Sequence, residues 1–143
     1  MMASLTRSIL LPYRAASVYQ VVADIEQYSE FLPWCIESTI LESSPSLIVA
    51  SLSFRIRGIT HVLVTRNTLE QDRRMLLEMV SGPVRHFEGE WIFSDLGDGR
   101  GCSAEFNAYY ELSGFTFFLQ NKLSNQVARK VVEAFLERCT NVL

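Results

Sequence analysis

The chain has 143 residues, 48% of them apolar, with a formal net charge of −3. That length suits one domain over residues 1–143 that buries about two thirds of its unfolded surface. The mild acidity excludes bulk affinity for nucleic acid, which needs many Lys or Arg on phosphates, and no apolar run reaches the roughly 18 residues of a membrane span.

Residues 5–11 read as a strand, with Leu5, Ile9 and Leu11 alternating and Pro12 closing it. The first 23 residues carry Arg7, Arg14 and no acid, a composition shared with organelle transit peptides. The strand alternation and the helix that follows favour an integral part of the fold instead. Residues 15–25 predict that helix, with Val18, Val21, Val22 and Ile25 on one side. A second short helix over 27–32 stops before Pro33, because a residue preceding proline avoids the helical region.

Five or six strands are expected next. Over 47–57, Ile48, Ala50, Leu52, Phe54 and Ile56 face one way, and Ser51, Ser53, Arg55 and Arg57 the other. The segment 60–69 is ambiguous, since Val62 and Val64 oppose Leu63 and Leu69. A strand with Met75, Leu77 and Met79 on one face precedes the breaker Ser81-Gly82-Pro83. Phe87, Gly89, Trp91 and Phe93 then alternate with Glu88, Glu90, Ile92 and Ser94. A glycine-rich turn over 97–101 leads to a last strand with Cys102, Ala104, Phe106, Ala108, Tyr110 and Leu112 on its dry face.

Residues 114–143 contain no proline and read as one long helix. Its apolar face carries Phe115, Phe118, Leu119, Leu123, Val127, Val131, Ala134, Phe135 and Cys139. Short turns between successive strands predict an antiparallel meander with one dry face. Only the final helix is long enough to cover that face. The expected fold class is therefore α+β, a helix-grip of order β–α–α–β(5–6)–α, with a curved sheet wrapped around the C-terminal helix.

The space between sheet and helix is the natural place for an apolar ligand. Large side chains there sit among Ala50, Gly89, Ala104 and Ala108, which suits either a cavity or close packing. The candidate ligand residues are Leu52, Phe54, Met79, Phe87, Trp91, Phe93, Phe106 and Tyr110 on the sheet, and Phe118, Leu123 and Val127 on the helix. Phe31 and Trp34 are expected with Phe118 at an apolar rim able to touch a bilayer. Tyr110, Thr116 and Gln126 are candidate polar anchors.

No catalytic constellation emerges. His61 and His86 fit neither a metal spacing nor a nucleophile motif, and Glu88 and Glu90 fall on the wet face. The glycines over 97–101 precede a strand, so they form a turn and not a phosphate cradle. Cys35, Cys102 and Cys139 are widely spaced and odd in number, as reduced buried thiols would be. Arg55, Arg57, Arg66, Arg73 and Arg74 lie on adjacent strands or their turns, a candidate patch for acidic lipid or RNA phosphate.

Several runs carry a family resemblance: Leu11-Pro12-Tyr13, Val18-Tyr19, and the stretch from Asp24 to Cys35 (DIEQYSEFLPWC). Thr65-Arg66-Asn67, Gly82-Pro83 and Gly89-Glu90-Trp91-Ile92-Phe93 follow in order. Together they resemble the START-like family of bacterial ribosome-association toxins and mitochondrial coenzyme-Q-binding proteins, often catalogued as polyketide cyclase/dehydrase-like. The resemblance implies a START-like fold and non-catalytic binding of an isoprenoid, ubiquinone or a related quinone, in support of respiratory electron transfer. It requires no cofactor beyond such a ligand. It further implies a cytoplasmic protein with peripheral contact at the inner membrane. A contact with the large ribosomal subunit that blocks subunit association, within a toxin–antitoxin setting, is the alternative. A polyketide cyclase or dehydratase using the same cavity is a third.

Overall fold

The computed structural model describes residues 2–111 and 114–143, with side chains described for 4–111, 126 and 128–143. Strand β1 (Met2–Leu11) leads to helix α1 (Ala15–Ala23), a 3₁₀ turn (Ile25–Gln27) and the single-turn α2 (Tyr28–Phe31). Strands β2 (Cys35–Ser44), β3 (Leu47–Ile56), β4 (Ile59–Glu70), β5 (Arg74–Ser81), β6 (His86–Asp95) and β7 (Cys102–Glu111) follow, and α3 (Gly114–Val142) closes the chain. All strand pairs are antiparallel, in the order β1-β7-β6-β5-β4-β3-β2. This is the expected α+β helix-grip meander, with β1 brought round to pair with β7.

Strand β2 differs from the sequence expectation, which assigned no strand to 35–44. Its register with β3 shifts twice, between Cys35 and Glu37 and between Ile40 and Glu42. Each extra residue flips the alternation, so no continuous period of two survives to be read. The helix expected over 15–25 stops at Ala23, because Asp24 adopts a non-helical ψ of 65°. The second helix shrinks to the 3₁₀ turn and one α turn, and Leu32 turns extended (ψ 127°) ahead of Pro33.

Helix α1 begins without a cap of its own, since Arg14 at that position offers no acceptor. The Asp95 carboxylate at the end of β6 supplies one, accepting the Ala15 N–H at 2.8 Å. Gly101 sets the facing turn against β1. A Cβ there would stand 2.3 Å from the Leu11 carbonyl oxygen, so only glycine permits the approach.

The core lies between the concave face of the sheet, α1 and the C-terminal half of α3. Val18, Val22, Met75, Ala104, Cys102, Val132 and Cys139 are fully or almost fully enclosed. The alternation of β6 and β7 predicted from sequence holds throughout: Gly89, Trp91, Phe93, Ala104, Phe106 and Ala108 are buried.

Candidate functional site

Strand register sorts the concave side chains into rows. At the α1 end lies Leu69–Met75–Trp91–Phe106. The middle row is Ile48–Asn67–Leu77–Gly89–Ala108–Leu5. Next come Ala50–Thr65–Met79 and Phe87–Tyr110, then Leu52–Leu63 and Phe54–His61 at the β3–β4 hairpin end.

The α1 end is packed solid. Trp91 stacks on Phe93 (centroids 5.9 Å, planes at 5°) and touches Phe106 at 4.9 Å. Phe135 of α3 drops onto Trp91 at 5.3 Å and meets Tyr28 and Phe31 at 5.2 Å each, all near perpendicular. The void left beside this cluster is about 10 Å³, no more than a single water needs. Trp91, Phe93 and Phe106 therefore act there as core. Phe31 joins the same cluster while its other side lines an open groove with Val21, Ala23 and Val142, and the Arg138 guanidinium covers it at 5.2 Å while bridging to Glu30 at 3.3 Å.

Toward the hairpin end the wall is mostly apolar, interrupted by Thr65 and His61, and less enclosed. Leu52 and Tyr110 are buried, while Phe54, Leu63, Met79 and Phe87 are half-buried. Gly89 and Ala108 lie side by side across β6 and β7, and Ala50 faces Thr65. These small residues leave the middle of the wall low. The expected helix partners Phe118, Leu123 and Val127, and the anchor Thr116, lie outside the described side chains; Gln126 is exposed. Trp34 stands at the entry to β2 in a left-handed conformation (φ 64°), its carbonyl accepting the Arg55 N–H at 2.8 Å and Lys130 Nζ 5.7 Å above its ring.

By this register the concave rows from Leu69–Met75–Trp91–Phe106 to Phe54–His61 carry no carboxylate, and Asp95, in phase with Phe93 at the end of β6, is turned to the Ala15 N–H. Glu88 and Glu90 point outward, Glu90 bound by Arg74 Nε at 2.7 Å and Glu88 beside His86 at 3.3 Å. Among the described residues no three His, Cys, Asp or Glu side chains converge as metal ligands. The three cysteines are free and buried. Burial, with Cys102 adding to it, pushes the Cys139 thiol up to about 11, and burial raises Cys35 and Cys102 as well. Tyr28 is held firmly protonated by burial, and its hydroxyl donates to the Val22 carbonyl.

The five arginines do not form one patch. Arg55 and Arg57 flank the β3–β4 turn, whereas Arg73 and Arg74 flank the β4–β5 turn at the other end of the 12-residue β4, about 40 Å of strand away. Arg66 lies between them, directly opposite Glu78, and Arg74 is engaged by Glu90. What the hairpin does present is an acid-free stretch from Leu47 to Leu69, with Arg55 and Arg57 exposed beside Ile56, Ile59 (61% exposed) and Val62 (48%).

Sequence reasoning missed Thr65 and Asn67 as site residues. Both face the concave interior, 2% and 1% exposed. Their positions keep the period of two with Leu63 and Leu69, but polar side chains there broke the pattern that marks a dry face.

A family model described as polyketide cyclase / dehydrase and lipid transport matches residues 11–139. The chain belongs to that family. Among its relatives is the ribosome association toxin RatA of Escherichia coli, 33% identical over 142 residues, covering 99% of this chain and 89% of that protein. The mitochondrial coenzyme Q-binding protein COQ10 homolog B of Xenopus laevis is 24% identical over 134 residues, 91% of this chain and 55% of that protein. Among solved structures, the Zhui aromatase/cyclase of Streptomyces sp. R1128 superposes with a TM-score of 0.83 at 17% identity, over 98% of this chain and 94% of that one. That likeness establishes the START-like fold.

Proposed function

We propose that this protein binds a hydrophobic isoprenoid, ubiquinone or a related quinone, without catalysing its conversion. The observation that carries this reading is the concave wall from Gly89 and Ala108 to Phe54, which is mostly apolar with Thr65 and Asn67 set into it, low in its middle and free of carboxylates among the described residues. Such a wall takes up an isoprenoid by burial, at roughly 25 cal/mol per Å² of apolar surface, and offers no acid–base pair for a cyclisation. The relative named as a coenzyme Q-binding protein supports the same ligand class.

The β3–β4 hairpin fits the source of such a ligand. Ile56, Ile59 and Val62 are exposed next to Arg55 and Arg57, a pairing suited to an anionic bilayer surface. Leu52, Phe54 and Met79 with Trp34 would line the entrance. Titration with a short-tailed ubiquinone by calorimetry tests the reading, with saturable binding expected in the wild type and lost in Ala108→Phe, which fills the low middle row. Absence of saturable binding, together with no quinone in lipid extracts of protein from its own host, would overturn it.

A second reading, association with the large ribosomal subunit, is favoured by the relatives named ribosome association toxin at 33% identity. Salt-sensitive co-sedimentation with large subunits that is lost in Arg55→Glu/Arg57→Glu would support it.

A further inference from the structure

Asn67 is buried at the centre of the concave face with only one end of its amide bonded. Nδ2 donates to the Ile48 carbonyl on β3 at 3.0 Å and to Thr65 Oγ1 at 3.0 Å. Among the described residues no donor reaches Oδ1, which is nonetheless shielded from solvent. Reversing the amide would set Oδ1 against the Ile48 carbonyl, acceptor against acceptor, so its orientation is determined. Its row neighbours Leu77, Gly89 and Ala108 have no side-chain donor to offer, and the last two have almost no side chain. An orphaned acceptor in such surroundings is costly, and a donor that meets it recovers that cost.

We propose that Asn67 Oδ1 accepts a hydrogen bond from a ligand hydroxyl, so that the site selects a hydroxyl-bearing head group: a quinol in preference to its quinone. This rests on the concave face being the ligand site. Ring oxygens of a quinone only accept, and one placed against Oδ1 would meet another lone pair. A quinol O–H donates there without changing the size of the ring. The Thr65 hydroxyl can serve an oxygen of either form, so discrimination falls to Asn67. Tighter binding of the reduced form also raises the midpoint potential of the bound couple, by about 30 mV for each tenfold of preference.

The experiment is anaerobic calorimetry with a short-tailed ubiquinol, the matching ubiquinone as the size-matched comparison, and the di-O-methyl ether of the quinol, which keeps the ring and tail but replaces each O–H donor with a bulkier O–CH3. Binding of the quinol about tenfold or more tighter than both others is expected, with the quinol-to-quinone ratio falling to about one in Asn67→Leu. Should that variant not fold, the three wild-type affinities decide the matter alone. Equal affinities for quinol, quinone and ether, or a preference that survives in folded Asn67→Leu, would overturn the role of Asn67 while leaving quinone binding intact. No binding of any of the three would overturn the quinone reading itself, and this inference with it.

Discussion

Replacing Phe135 with alanine asks whether the α1 end of the concave face is structural or part of a ligand chamber. The ring is 5% exposed and meets Tyr28, Phe31 and Trp91 at 5.2–5.3 Å, tying α3 to α2 and to the sheet at one point. Truncating a buried Phe costs about 3–5 kcal/mol, and removing three edge-to-face ring pairings at once favours the upper half of that range. A loss of about 4 kcal/mol lowers the folding constant by about a thousandfold and the melting temperature by roughly 10–15 °C. Urea unfolding followed by circular dichroism measures it. Phe135→Leu keeps most of the volume and should cost less than half as much. Quinone affinity of the folded Ala variant should change little, since its ring is at the packed end. A stability loss below about 1.5 kcal/mol, or a collapse of affinity at unchanged stability, would show that the ring faces a ligand and not the core.

Two further outcomes follow from single interactions. Asp95→Ala removes the remote carboxylate that caps α1 and should cost about 1 kcal/mol in the same assay, with Asp95→Asn recovering much of it because an acceptor remains. The Cys139 thiol ionises near its ordinary 9.0 in the unfolded chain but at about 11 in the folded one. Between those values the folded chain holds the extra proton, so stability present below pH 9 is lost as the pH rises toward 11. Urea midpoints at about pH 8, 9.5 and 10.5 should fall more steeply for the wild type than for Cys139→Ala; parallel curves would discount the thiol.

The fold was legible wherever one face of an element met one environment. Strands β3, β6 and β7 kept an unbroken period of two, and the 29 residues of α3 showed a helical stripe with no competing signal. Strand β2 escaped because two bulges change its phase. The site was harder to read. Sequence patterns mark which side chains turn inward, but not whether they meet one another or a ligand, so Trp91 and Phe54 looked alike until Phe135 was seen seated on the first. Register likewise parted Arg55 from Arg73, which lie only 18 positions apart in the chain. Asn67 figured only in a family-like run and not as a site residue, because its importance comes from where the Ile48 carbonyl sits on the neighbouring strand.

The bulges of β2 bear on what an uncovered sheet edge can do. An open sheet exposes two flanks, and a straight flank is a template on which a second chain can zip. Strand β2 occupies one flank with Ile36 and Leu41 uncovered, an adhesive combination were the strand regular. Its two phase changes fall at those residues, and Glu37 and Glu42 follow them immediately. An incoming strand would find its hydrogen-bond spacing interrupted twice within the 10 residues of β2, with a negative charge after each interruption. The irregularity that hid β2 from sequence reading thus also guards the sheet against growing by one strand more.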